Sequence, residues 1–135
     1  MSGELGTARV EVGIVVRDLE AMAAFYGNVL GLERVDDLEF TGGSMQRYLH
    51  GDTVLKLVAT ATPPAQSNPP NGPAGGASGI RYVSLAFDDV DALVARCVDA
   101  GRPVPVSAFE FMPGIKVAMV EDPDGNWVEL VQSAR

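Results

Sequence analysis

Apolar and polar residues alternate from Val10 to Val16, with Val10, Val12, Ile14 and Val16 on one side, the period of a strand covered on one face. After Asp18 the period lengthens. Leu19, Met22, Tyr26, Val29 and Leu30 recur at helical spacing, and Asp18 stands where a carboxylate caps a helix. The same succession returns after residue 80. Arg81, Val83, Leu85 and Phe87 alternate, Asp89 is the candidate cap, and Val90, Leu93, Val94 and Cys97 form a helical stripe that ends before Gly101. Asp18 and Asp89 lie 71 residues apart, and that offset lays Val12 on Val83, Ile14 on Leu85 and Val16 on Phe87. The pattern predicts an internal duplication with diverged halves.

Strand patterns and turn signals follow each helix. In the first half they are RVDDLEF, a Gly42-Gly43 turn, MQRYLH, a Gly51-Asp52 turn and TVLKLVA. The second half has a weak strand around Pro103 to Val106, a loop through Met112-Pro113-Gly114, then IKVAMVE, the turn Asp122-Pro123-Asp124-Gly125 and WVELVQ. Asp first, Pro second and Gly fourth suit a type I turn. The fold class is therefore α+β, with two βαβββ modules, about 8–59 and 80–132, whose curved mixed sheets form a cup within one domain, 1–135. Between them, TATPPAQSNPPNGPAGGASG, residues 60–79, carries no charge and is rich in Pro, Gly, Ala and Ser. It is expected to be a slack connector rather than a cover.

Composition narrows the partners. A chain of 135 residues with 47% hydrophobic content can bury a core as a single domain. Its net charge of −8 repels a phosphate backbone, so nucleic acid is not an expected partner. No apolar run reaches the roughly 18 residues of a membrane span, and the opening MSGELGT has no leader-like apolar core. The expectation is a cytoplasmic protein with no membrane contact. The one cysteine, Cys97, lies in the helical stripe and is expected to be a buried filler.

The segments VGIVVRDLEAMAAFYGNVLGLE and VAMVEDPDGNWVELVQ, with the weaker IRYVSLAFDDVDAL between them, resemble the vicinal oxygen chelate superfamily. That group includes glyoxalase I, methylmalonyl-CoA epimerase, extradiol dioxygenases and the fosfomycin and bleomycin resistance proteins. The resemblance implies the paired-module cup and, from the family's habit, a homodimer. It does not imply one activity, since the scaffold carries many chemistries.

In the metal-dependent members, four inward strand side chains hold a divalent ion against vicinal oxygens of the substrate. The resemblance carries those positions onto Glu11, Lys56, Tyr82 and Glu129. Only Glu129 keeps the family's residue type at its position. A protonated Lys56 has no lone pair to give a metal, and two carboxylates beside an ammonium and a phenol make a poor divalent site. No metal and no other cofactor is therefore expected. Two uses for the four groups remain open. They can form a structural polar network in the metal's place, or Glu129 or Glu11 can act as general base while Lys56 or Tyr82 steadies an oxyanion.

Further residues can shape a ligand site. Arg47 is expected to pair across the hairpin from Lys56, where it suits a substrate carboxylate or phosphate unless it is a solvated strand arginine. Phe109, Phe111 and Met112, in a loop, can line an apolar mouth, cover a dimer contact or simply pack. Trp127 shares the face of Glu129 and can wall the site or belong to the core. His50, the only histidine, is expected to be solvated at the hairpin tip. Two function classes follow. One is a metal-independent isomerase, epimerase or lyase that uses Glu129 as base on a small, partly apolar, anionic molecule. The other is a non-catalytic protein that sequesters a ligand between subunits, as the bleomycin-resistance members do.

Overall fold

A computed structural model describes residues 8–134; the opening MSGELGT, read above for a leader, lies outside them. The strands are β1 (Glu11–Val15), β2 (Glu33–Phe40), β3 (Gly43–His50), β4 (Thr53–Thr60), β5 (Tyr82–Ala86), β6 (Val106–Met112), β7 (Ile115–Glu121) and β8 (Trp127–Ser133). The helices are α1 (Leu19–Ala23), continued by a wider turn over Ala24–Val29, and α2 (Val90–Asp99). The sheets have the orders β1-β4-β3-β2 and β5-β8-β7-β6. Each is a βαβββ module with one parallel pair and two antiparallel pairs.

The duplication is visible in the ladders. Glu11 pairs with Val54 and Gly13 with Lys56 in the first module, while Tyr82 pairs with Trp127 and Ser84 with Glu129 in the second. The offset of Asp18 to Asp89 also holds at the helix starts, where each carboxylate accepts a main-chain N–H three residues on, from Ala21 and from Ala92. Both caps satisfy a donor that the first turn leaves open.

One core serves both modules. The inward side chains of each strand set, such as Val16, Leu57, Leu85, Val128 and Leu130, meet Met22, Phe25 and Tyr26 from the first helical segment and Val90, Leu93 and Cys97 from α2. Cys97 is fully buried, as expected. Burial also pushes its thiol pKa up.

Three local features depart from the pattern. Beyond Ala23 the helix widens, and the Leu30 N–H donates to Phe25 O at 2.9 Å, five residues back. The wider turn lets adjacent Phe25 and Tyr26 both enter the core, where they meet edge to face with ring centroids 4.8 Å apart. The segment SAFEFM, read as loop, is strand β6 instead. Its ladder with β7 is interrupted by bulges, which breaks the alternation that would have marked it. Residues 68–72 are not slack. Asn71 is buried and donates to Gly125 O at 3.1 Å, Asn68 donates to Asn126 Oδ1 at 2.8 Å, and Gly72 N–H donates to Arg81 O at 3.0 Å.

Candidate functional site

The modules are locked together by equivalent contacts at opposite ends of β1 and β5. At one end the β3–β4 turn reaches the end of β5: His50 Nε2 is 2.6 Å from Ala86 O, and its ring packs on Phe87 at 4.7 Å. At the other the β7–β8 turn reaches the end of β1: Arg17 N–H donates to Asp124 Oδ2 at 2.8 Å. His50 is thus a half-buried module contact rather than a solvated tip, because its ring packs on Phe87 of the other half while the Gly51-Asp52 turn beside it stays exposed. The pairing sets β1 and β5 alongside one another in opposite directions. Each ladders only with a strand of its own module.

Beside the second contact lies a buried polar joint. Asp122, fully buried, accepts the Tyr26 hydroxyl at 2.7 Å, the Asn126 side chain at 2.9 Å and the main-chain N–H groups of Asp124 and Asn126, both at 2.9 Å. Burial raises the Asp122 pKa and outweighs the lowering by its donors, and burial beside Asp122 raises that of Tyr26 well above the ordinary phenol value. A joint with every oxygen bonded from several directions holds the turn before β8, and therefore the start of the strand that carries Trp127 and Glu129.

Alternation and register place the four family positions. Lys56 shares its side of the sheet with Gly13 and Arg47, its ladder partners, and with Glu11 two residues before Gly13. Glu129 shares its side with Ser84, and Trp127 with Tyr82. Lys56 Nζ lies 3.1 Å from Glu11 Oε1, and Glu11 Oε2 meets the Arg9 guanidinium at 2.8 Å. Hydrogen bonds from Arg9 and then Lys56 hold the Glu11 carboxyl below its usual range. Across the seam, Ser84 Oγ donates to Glu129 Oε1 at 2.5 Å. The single network expected of the four residues is therefore two pairs, Glu11 with Lys56 and Glu129 with Ser84, with no hydrogen bond between the pairs among the described residues. Ser84 was missed because the carried-over positions skip it, although it lies on the strand face of Tyr82 two residues on.

This donor set does not fit a divalent ion. Glu11 has both oxygens engaged by cations, and Lys56 adds an ammonium at a ligand position. Among the described residues no three His, Cys, Asp or Glu side chains are grouped to hold a metal.

Arg47 does pair opposite Lys56. Its guanidinium, however, holds Asp36 through two bonds, Nε to Oδ1 at 2.7 Å and a terminal nitrogen to Oδ2 at 2.6 Å. Its fork is already matched to a carboxylate. Phe109, Phe111 and Met112 stand exposed on β6, the outer edge of the second sheet.

A cavity of about 470 Å³ opens where β1 faces β5. Its walls are β1 from Val12 to Val15, then Ile80, Tyr82, Val83 and Trp127, and linker residues between Pro64 and Asn71 line its remaining side. Trp127 is fixed from two sides. Its indole N–H donates to Glu121 Oε1 at 3.0 Å, and Gly72 packs so closely on its ring that a Cβ there would fall 2.3 Å from Cζ3. Glu11, Lys56 and Glu129 do not line this cavity.

The comparisons agree with this architecture. The chain is 27% identical over 126 residues to the uncharacterized protein YwbC of Bacillus subtilis (strain 168), spanning 89% of this chain and 93% of that one. A glyoxalase family protein from Bacillus cereus superposes with a TM-score of 0.80 at 18% identity, over 93% of both chains. A glyoxalase/bleomycin resistance protein from Streptomyces sp. CB03234 superposes with a TM-score of 0.69 at 28% identity, over 93% of this chain and 100% of that one. The sequence pattern of the Glyoxalase/Bleomycin resistance protein/Dioxygenase superfamily matches residues 8–130, and with the two laddered modules in place the chain belongs to that superfamily.

Proposed function

We propose that the protein binds a small, partly apolar molecule in its cup without a metal ion. The Lys56–Glu11 pair carries this reading. It sets an ammonium 3.1 Å from the carboxylate that would otherwise be a ligand, and a cation site that already holds a cation has no charge left to attract another. The cavity beside it, with Tyr82 and Trp127 in its wall, supplies the apolar surface such a molecule needs. Sequestration without chemistry is the simplest use of that arrangement, and the likeness to the Streptomyces glyoxalase/bleomycin resistance protein supports it.

A second reading, isomerisation, epimerisation or lysis by proton transfer, rests on Glu129. Ser84 orients its carboxylate through one oxygen, which leaves the other available as a base. Glu11 is the poorer base, since Arg9 and Lys56 lower its proton affinity.

Dialysis against nickel, zinc and manganese followed by metal analysis tests the main reading. The expected result is no stoichiometric metal on the wild-type chain, together with a rise in melting temperature in the presence of a binding metabolite fraction. Stoichiometric metal held among Glu11, Tyr82 and Glu129, with the Lys56 amine displaced, would overturn it. The two uses of the site separate on Glu129→Gln, which removes turnover but preserves binding only if Glu129 is a base.

A further inference from the structure

We infer that the cavity between β1 and β5 recognises an uncharged, peptide-like amide carrying an aromatic ring, and that it does so through the main-chain edge of β1. The inference deepens the proposed binding function by naming its ligand class and the place where the ligand lies.

The free edge follows from the ladder. Val10 O accepts from Val54 N and Val16 N donates to Val58 O, both at the β4 side. In a parallel pair, alternate residues of a strand make both ladder bonds, so the even-numbered residues of β1 face β4. The N–H and C=O of Gly13 and Val15 therefore point the other way, toward the cavity that both residues line. Among the described residues β1 ladders with β4 and with no other strand. On the facing strand, Phe87 N donates to Val131 O, so by the same alternation Tyr82 and Ser84 also direct their main-chain groups into the seam. Two strand edges face one another here with a cavity in place of a ladder.

A strand edge presents a donor and an acceptor from one residue on one side. Its complement is a ligand residue that offers an acceptor and a donor in the same way, as an N-acylated amino-acid amide does. Gly13 favours such an approach, because even a Cβ at that position would meet nothing within 4 Å. The aromatic preference comes from Tyr82 and Trp127 in the wall.

The charge of the ligand follows from the lining. Among the described residues, Arg17 and Asp124 are the charged residues that line the cavity, and they are opposite in sign; Asp124 accepts the main-chain N–H of Arg17. The other polar residues around it are carboxamides, Tyr26, Ser67 and Tyr82 with their hydroxyls, and Trp127 with its indole N–H, beside the strand edges. A net charge on the ligand would lose its hydration against a lining whose own two charges sum to zero. The anion anchor expected at Arg47 is held by Asp36, and the chain's net charge of −8 opposes an anion further.

Trp127 is the only tryptophan, so its fluorescence reports occupancy directly. The test titrates the full chain with N-acetylphenylalaninamide and with the same compound methylated on its acetamide nitrogen, which cannot donate to the β1 edge. The expected result is a saturable change in Trp127 emission with the first probe and affinity lower by about tenfold with the second, the value of about one net hydrogen bond. Amide NMR provides the protein-side measurement without a substitution: the Gly13 and Val15 protons should move downfield on binding. Gly13→Pro, which removes the edge N–H but no ladder bond, should weaken the first probe. Equal affinity for the two probes, no saturable binding, or amide shifts confined to Glu11, Lys56 and Glu129 would each overturn the inference. Metal uptake by a chain that still binds the probe at Gly13 would overturn the proposed function alone; a metal-free chain that ignores the probe would overturn this inference alone.

Discussion

Lys56 Nζ and Glu11 Oε1 lie 3.1 Å apart on adjacent parallel strands. The Glu11 carboxyl is held low by Arg9 first and Lys56 second, so its titration followed by carbon NMR should have a midpoint below the ordinary glutamate value. Lys56→Met should move that midpoint upward without restoring it, since Arg9 remains. The linked stability has the sign of a depressed carboxylate: present above the unfolded-state pKa and lost as pH falls through the lower folded-state value. An unchanged midpoint in Lys56→Met would show that the pair does not persist in solution.

Tyr26→Phe should destabilise the chain by about 1–3 kcal/mol, because it leaves a buried Asp122 oxygen with one donor fewer. Urea unfolding of the two proteins provides the measurement. The pH dependence runs opposite to that of Glu11. Burial raises the Asp122 pKa, so over the interval between its unfolded and folded values the native state binds more protons, and the Asp122 contribution falls as pH rises. Tyr26 itself should fail to ionise at the pH where exposed tyrosines do, read by its ultraviolet difference spectrum.

Gly72→Ala should cost more than about 1 kcal/mol. Its backbone sits at φ +79 and the added carbon would meet the Trp127 ring at 2.3 Å. The shift should appear in Trp127 emission as well as in the unfolding midpoint. Gly13→Ala, with open space around its Cβ and no positive φ, should stay within about 0.5 kcal/mol of the wild type. Similar effects from both would mean that Gly72 does not pack against the indole in solution.

Phe109 and Phe111 expose 47% and 62% of their surface on an outer strand, which suits them to the homodimer that the family resemblance implies. Phe109→Ser with Phe111→Ser should shift the mass measured by light scattering from dimer to monomer, with little change in the circular dichroism of the fold. A wild-type chain that is monomeric at high concentration would overturn that expectation.

Much of the fold was legible because burial imposes a period. Val12, Ile14 and Val16 alternate because one face of β1 meets the core, and Asp18 and Asp89 cap because helix starts need acceptors. The pairing of Arg47 with Lys56 followed from the two-residue turn at Gly51-Asp52. Strand β6 escaped because its bulges disrupt the alternation around Phe109, and the wide turn at Phe25-Tyr26 escaped because it answers to packing rather than to local preference.

The candidate site divides in the same way. The chain's own order determined which residue types stand at the family positions, including the ammonium of Lys56 where a ligand is expected, because strand alternation and the internal repeat assign each residue a face. Only tertiary structure decided what those residues touch: that Asp36 occupies Arg47, that Ser84 engages Glu129, that His50 reaches Ala86, and that Gly72 packs against Trp127. These contacts join residues far apart in sequence or depend on side-chain direction. Local periodicity records which face of a strand is covered, but it carries no information about what covers it.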